Sequence, residues 1–270
     1  MTSTTGRRDE RGLRGRWTTF QRHRYLEPGP ELAPFVARYW AVTWDLRDQP
    51  PYRQLVVPDP IVHLSFLNGV GRVHGVARGH VFRELAGLGR VFGIAFRPGC
   101  FRPFLGSSVS DLTDRSVPAG EVFGQAVPEA AMASAVDETD MRRIVERFLG
   151  ANLPPREPVA EEVAGIVAHI AADPGITRVD DLARQLCTSV RRLQRLFADY
   201  VGVGPKWVIR RYRLHEITER MAAGGRIDWM RLALQLGYAD QAHLSRDFTA
   251  IVGETPTRYA QRYPDPAADA

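Results

Sequence analysis

The chain is nearly without lysine. Of its 36 basic residues only Lys206 is not arginine, so arginine enrichment alone says nothing about a nucleic-acid partner. Cysteine is almost absent too. Cys100 and Cys187 lie far apart, which argues against a disulfide framework and a cysteine-rich zinc site. No apolar run approaches the roughly 20 residues needed to span a bilayer. The first residues are polar and basic and lack the apolar stretch of a secretory signal, so a cytoplasmic protein is expected. His63, His74 and His80 are the clustered histidines of the first half, and no His-x-His followed by glutamate occurs there. The converging ligands of a metal site are therefore missing. Asp111 and Asp114 lack a histidine or serine arrangement that reads as catalytic. The sequence offers no catalytic residue, no metal site and no cofactor. A metal-dependent cupin-like enzyme fused to a second domain is the rival reading.

What is present divides the chain. Its 270 residues suffice for two domains. The net charge of +5 and pI near 9.5 point weakly to a polyanionic partner. Residues 1–24 carry seven arginines and two acids without an apolar period, and read as a disordered leader. Residues 25–152 read as a β-rich sensor or dimerisation domain. Gln54–Val57, Ile61–Phe66 and Val91–Phe96 are rich in β-branched and aromatic residues, and turn signals such as Asn68-Gly69 bound them. Short strands of this kind suggest a small barrel or sandwich. Glu31 to Trp40 fits a short amphipathic helix beside it, and Met141, Ile144, Val145, Phe148 and Leu149 mark one face of another. The prolines 154, 155 and 158 form a stiff linker over residues 153–158. Residues 159–263 are helical almost throughout, and 264–270 read as a disordered tail. The fold class expected is α+β in two domains: a mainly β barrel or sandwich with flanking helices, then an all-α domain.

The all-α domain carries a repeat. Leu182-Ala183-x-x-Leu186, Leu193-x-Arg195-x-Phe197 and Gly202-x-x-Pro205 return as Leu232-Ala233-x-x-Leu236, Leu244-x-Arg246-x-Phe248 and Gly253-x-x-Pro256. Each copy reads as helix, tight turn, helix, the pattern of a helix-turn-helix module. Thr177 with Asp180 is expected to cap the first helix as a capping box, with Ser189 capping the second. In the second copy Asp228 and Asp240 take those places. Between the modules, Pro205 to Gly224-Gly225 reads as a linker helix of about 18 residues, roughly 27 Å long. Successive major grooves on one face of a duplex lie about 34 Å apart. Between Arg184 and Arg213 eight basic residues face one acid, Asp199.

This region resembles the DNA-binding domain of the AraC/XylS family of bacterial transcription regulators. Leu193-Gln194-Arg195-Leu196-Phe197, Arg211 with Leu214, Leu236-Gly237-Tyr238 and Gly253-x-Thr255-Pro256-x-x-Tyr259 carry the resemblance. It implies sequence-specific binding to a double-stranded DNA operator. By the family's pattern Arg191, Gln194 and Arg195 read bases in one groove, and Gln241, Ala242, His243 and Arg246 face the next. With Ser189, Arg192 and Asp240 these form the candidate DNA-binding set. Asp240 and Asp247 make the second helix look less basic than the first. The stretch Phe96–Gly99, with Leu105-Gly106 and Asp111–Thr113, resembles a domain of unknown function that precedes such DNA-binding halves. An unidentified small-molecule effector, RNA polymerase and a second copy of the chain complete the expected partners.

Overall fold

A computed structural model describes residues 21–222 and 227–260. Most of the expected leader, the tail and the Gly224-Gly225 helix stop lie outside the described residues. The N-terminal part holds eight strands: β1 (Gln21–Leu26), β2 (Val36–Leu46), β3 (Tyr52–Val56), β4 (His63–Leu67), β5 (Val70–His74), β6 (Val81–Leu85), β7 (Gly87–Phe96) and β8 (Ser116–Pro118). Six form one antiparallel sheet in the order β1-β2-β7-β4-β5-β8, and β3 and β6 pair separately as a two-stranded ribbon. Among the described residues the strands make an open sheet and a ribbon, not a closed barrel.

Two expectations change at the start of this domain. Gln21–Arg24, assigned to the leader, belong to β1, where backbone pairing with β2 orders them. The helix expected over Glu31 to Trp40 is a turn followed by β2. The apolar positions 32, 35, 36, 39 and 40 fit a helical face, but the run from Val36 to Trp44 is rich in β-branched and aromatic residues and pairs along its length with β7. That pairing also explains two glycines. Trp40 and Trp44 stand opposite Gly93 and Gly89. A Cβ would lie 2.0 Å from the Trp40 indole at Gly93 and 2.2 Å from Trp44 at Gly89. Only glycine lets the indoles lie flat on the sheet.

Four α-helices accompany the sheet, α1 (Arg102–Leu105) before β8 and α2 (Ala119–Phe123), α3 (Glu129–Ser134) and α4 (Glu138–Ala151) after it. They cover one sheet face, where Phe66, Phe92, Phe96, Phe101, Met132 and Leu149 are fully buried. As expected, Met141, Val145, Phe148 and Leu149 of α4 turn inward. The ribbon covers part of the other face, over Val42, Trp44 and Leu46.

The C-terminal part is α5 (Pro158–Ala172), α6 (Val179–Gln185), α7 (Val190–Tyr200), α8 (Pro205–Ala222), α9 (Trp229–Gln235), α10 (Gln241–Val252) and α11 (Pro256–Ala260). Apolar packing runs without a break from the sheet through α5 to α6, α7 and the first turns of α8. The second module has its own core of Leu214, Ile217, Met221, Leu232, Leu244, Phe248 and Tyr259, to which the ribbon adds Leu55. Helix α8 thus spans two cores, with Val208 and Ile209 in the first and Leu214 and Ile217 in the second. No helix among the described residues is long and apolar enough to cross a membrane.

Candidate nucleic-acid interface

Each module is two helices joined by the same chemistry. Cys187 and Gly237 sit at equivalent repeat positions with φ of 50° and 70°. The next amide reaches back to the helix in both: Thr188 N–H to the Ala183 carbonyl and Tyr238 N–H to the Ala233 carbonyl, each at 2.9 Å. This left-handed stop satisfies carbonyls that the helix end would otherwise leave open. Ala239 is the one extra residue of the second turn.

The caps of the outer helices form as expected. Ser189 Oγ accepts from the Arg192 amide at 3.2 Å, and Asp240 Oδ1 from the His243 amide at 2.6 Å. Asp228 accepts from the Arg231 amide at 3.0 Å and starts α9. The Thr177 capping box does not form. Helix α6 begins after Arg178, which provides no side-chain cap. Thr177 packs instead at the turn of the second module, where a Cβ on Gly237 would stand 2.8 Å from its methyl group.

Leu193 and Phe197 anchor α7, and Leu244 and Phe248 anchor α10; all four are fully buried. Their opposite faces are open. Arg191, Gln194 and Arg195 on α7 are exposed, as are Gln241, Ala242, His243 and Arg246 on α10. Among the described residues, Arg191, Arg195 and Arg246 take part in no ion pair. Arg192 is held: its guanidinium donates to both Glu162 carboxylate oxygens, at 2.8 and 3.1 Å.

Two acids that seemed to weaken the interface are engaged within the protein. Asp247 accepts a two-point hydrogen bond from Arg210 of α8, at 2.9 and 2.7 Å. Asp240 is occupied as a cap. Asp199, the acid of α7, pairs with Arg102 at 3.0 Å. Behind α10, the Arg213 guanidinium lies 4.0 Å from the centre of the Tyr238 ring. Burial lowers the pKa of Arg213 and pushes the Tyr238 hydroxyl up to about 12. The His243 ring meets Tyr238 edge-on, 5.2 Å between centroids. Sequence reasoning missed the Arg210–Asp247 and Arg213–Tyr238 pairs. Their partners are far apart in the chain, and no local spacing signals them.

The histidines of the rival reading do not converge on a metal. His63 and His74 are cross-strand partners. Trp40 Nε1 donates to His63 Nδ1 at 3.3 Å, and Ser65 Oγ lies 2.8 Å from His74 Nε2. Burial, reinforced by Arg83 and Arg72, brings the His74 pKa down to about 4. His80 lies elsewhere, against Gly253. Asp114 is taken by Arg78 at 2.6 Å. Among the described residues no group of three or more His, Cys, Asp or Glu could hold a metal ion.

Residues 182–262 match a family of helix-turn-helix domains. The match covers both modules and the helix that joins them. Residues 24–118 match a domain of unknown function, DUF6597. No curated protein matches the chain. Among solved structures, an apo variant of ToxT from Vibrio cholerae is 15% identical, with 88% of this chain and 100% of that chain covered and a TM-score of 0.41. ToxT from Vibrio cholerae bound to an unsaturated fatty acid is 13% identical, covering 90% of this chain and 95% of that one at a TM-score of 0.41. The C-terminal domain of AraT, a response regulator from Geobacillus stearothermophilus, is 18% identical, covering 39% and 85% at a TM-score of 0.34.

Proposed function

We propose that this AraC/XylS-type chain binds double-stranded DNA sequence-specifically, with α7 and α10 as recognition helices in successive major grooves. The observation that carries the reading is the duplicated module. In each, a side-chain-capped helix buries one stripe and leaves the opposite face open at its N-terminal turns. Those turns are where a recognition helix reaches base edges. Arg191, Gln194 and Arg195 serve one groove; Gln241, His243 and Arg246 serve the other, with Ala242 able to meet a thymine methyl. Arginine can bond guanine, and glutamine adenine, through two hydrogen bonds, each contact contributing about 1–3 kcal/mol of discrimination. Ser189 and Asp240 fix the helix starts, and Arg192 ties α7 to α5.

In this reading residues 24–118 supply the regulatory input, as effector sensor or dimerisation unit. The protein carries out no catalysis of its own. The test is selection of duplexes from a random pool by the full-length protein, followed by binding against salt. One enriched sequence with two contacted segments supports the proposal. Salt-dependent binding without sequence preference would overturn it.

A further inference from the structure

The N-terminal domain touches the two modules at the same place in the repeat. Gly202 and Gly253 are equivalent positions, each just past the C-terminal end of its recognition helix, with φ of 92° and 90°. At Gly202, Thr113 Oγ1 donates to the glycine carbonyl at 2.5 Å. A Cβ there would stand 3.1 Å from both Thr113 and Val109. At Gly253, the His80 ring takes the corresponding space, and a Cβ would stand 2.7 Å from it. Neighbouring contacts strengthen each point. Ser108 Oγ donates to the Ala198 carbonyl at 3.3 Å beside the first. Leu55 of the ribbon joins the core of the second module. Between them the domain holds the connecting helix: Trp207 Nε1 donates to the Arg78 carbonyl at 2.9 Å, and the buried Arg211 donates to Asp59 at 2.6 Å and to the Pro58 carbonyl.

We infer that the N-terminal domain is a brace that positions both recognition helices through their C-terminal ends, with Thr113 and His80 as positioning residues for DNA binding. The contacts with the two modules lie along α8 or at the far ends of α7 and α10, and further contacts reach α5. Among the described residues none covers the open faces that carry Arg191, Arg195, Gln241 or Arg246, all of which stay exposed. An autoinhibitory contact would bury those faces; this arrangement leaves them presented. At both docking points the positive φ favours glycine, and a Cβ would in addition crowd His80 at Gly253 and press on Thr113 and Val109 at Gly202. A duplicated domain gripped at a duplicated position fixes two helices relative to one scaffold. An input that shifts the loop carrying Arg78 and His80 would then alter the second module without touching DNA.

This inference rests on the two-groove reading, so its test has a DNA arm and a DNA-free arm. Full-length His80→Ala and Thr113→Val are compared with wild type on the selected duplex. His80→Ala should lose protection over the segment contacted by α10 and keep that of α7, with about a tenfold loss of affinity. Thr113→Val should do the reverse, and Thr113→Ser, which keeps the hydroxyl, should behave as wild type. Equal loss over both segments, or no loss, would overturn the brace. Amide exchange without DNA gives the second reading. Backbone protection in α10 should fall about tenfold in His80→Ala while α7 is unchanged. Unchanged exchange in α10 would overturn the inference whatever DNA binding shows. Failure of the wild-type protein to select any sequence, with the exchange pattern as expected, would sink the two-groove reading and leave the brace standing.

Discussion

The first and second modules share caps, turns and buried anchors, yet they are built into the molecule differently. The first has no core of its own: Leu193 and Phe197 belong to apolar packing continuous with the N-terminal sheet. The second closes a separate, smaller core that borrows Leu55 from the ribbon. Equal sequence patterns therefore do not give equal stability. The first module should open only when the N-terminal domain opens, whereas the second can open alone.

The largest effects should come from breaking the two anchors. Phe197→Ala and Phe248→Ala each remove a fully buried ring, at a cost of about 3–5 kcal/mol. In urea, Phe197→Ala should shift the main transition as a whole. Phe248→Ala should split it, with the second module melting first. A single shared transition in both variants would erase the contrast.

A smaller difference is expected at the DNA face. Replacing Arg191 and Arg195 with alanine should weaken binding to the selected duplex more than replacing His243 and Arg246, by about 1–2 kcal/mol. The acids that seemed to set the modules apart do not: Asp247 is paired with Arg210 and Asp240 is a cap. What remains, among the described residues, is two arginines without ion-pair partners on α7 against one on α10. Equal losses in the two double variants would remove the asymmetry. Separately, Asp247→Asn should cost about 1 kcal/mol of stability, because it weakens a half-buried two-point pair. Its measure is the midpoint of the second transition. A gain in DNA affinity without loss of stability would instead place Asp247 at the interface.

The smallest test concerns the turns. Cys187 holds a left-handed conformation that glycine holds in the second module. Cys187→Gly should therefore stabilise the protein by about 0.5–1 kcal/mol, and Gly237→Ala should destabilise it by about 1 kcal/mol or more, since the new methyl also meets Thr177. Denaturant midpoints read both. No change in either would remove strain as a difference between the turns.

Local chemistry made much of this legible in the sequence. Ser189, Asp228 and Asp240 are caps because the residue type and its position before an apolar stripe suffice. Helix α8 starts at Pro205 for a similar reason. Failures arose where tertiary contacts decided. The run from Glu31 to Trp40 satisfies a helical period, but pairing of β2 with β7 makes its second half a strand. Thr177 looks like a cap and is a packing residue. Asp247 looks exposed on a helical wheel, yet Arg210, distant in sequence, holds it. The gripping of Gly202 and Gly253 was invisible because Thr113 and His80 carry no pattern that ties them to the repeat.

In the proposed function α7 and α10 read one duplex together. The most direct measurement is a hydroxyl-radical footprint of the full-length protein on its selected duplex. Two protected segments about one helical turn apart on one DNA face, with Arg195→Ala relaxing base preference in one and Arg246→Ala in the other, are the result predicted. A single protected segment, or uniform weakening by both substitutions across all sequences, would contradict it.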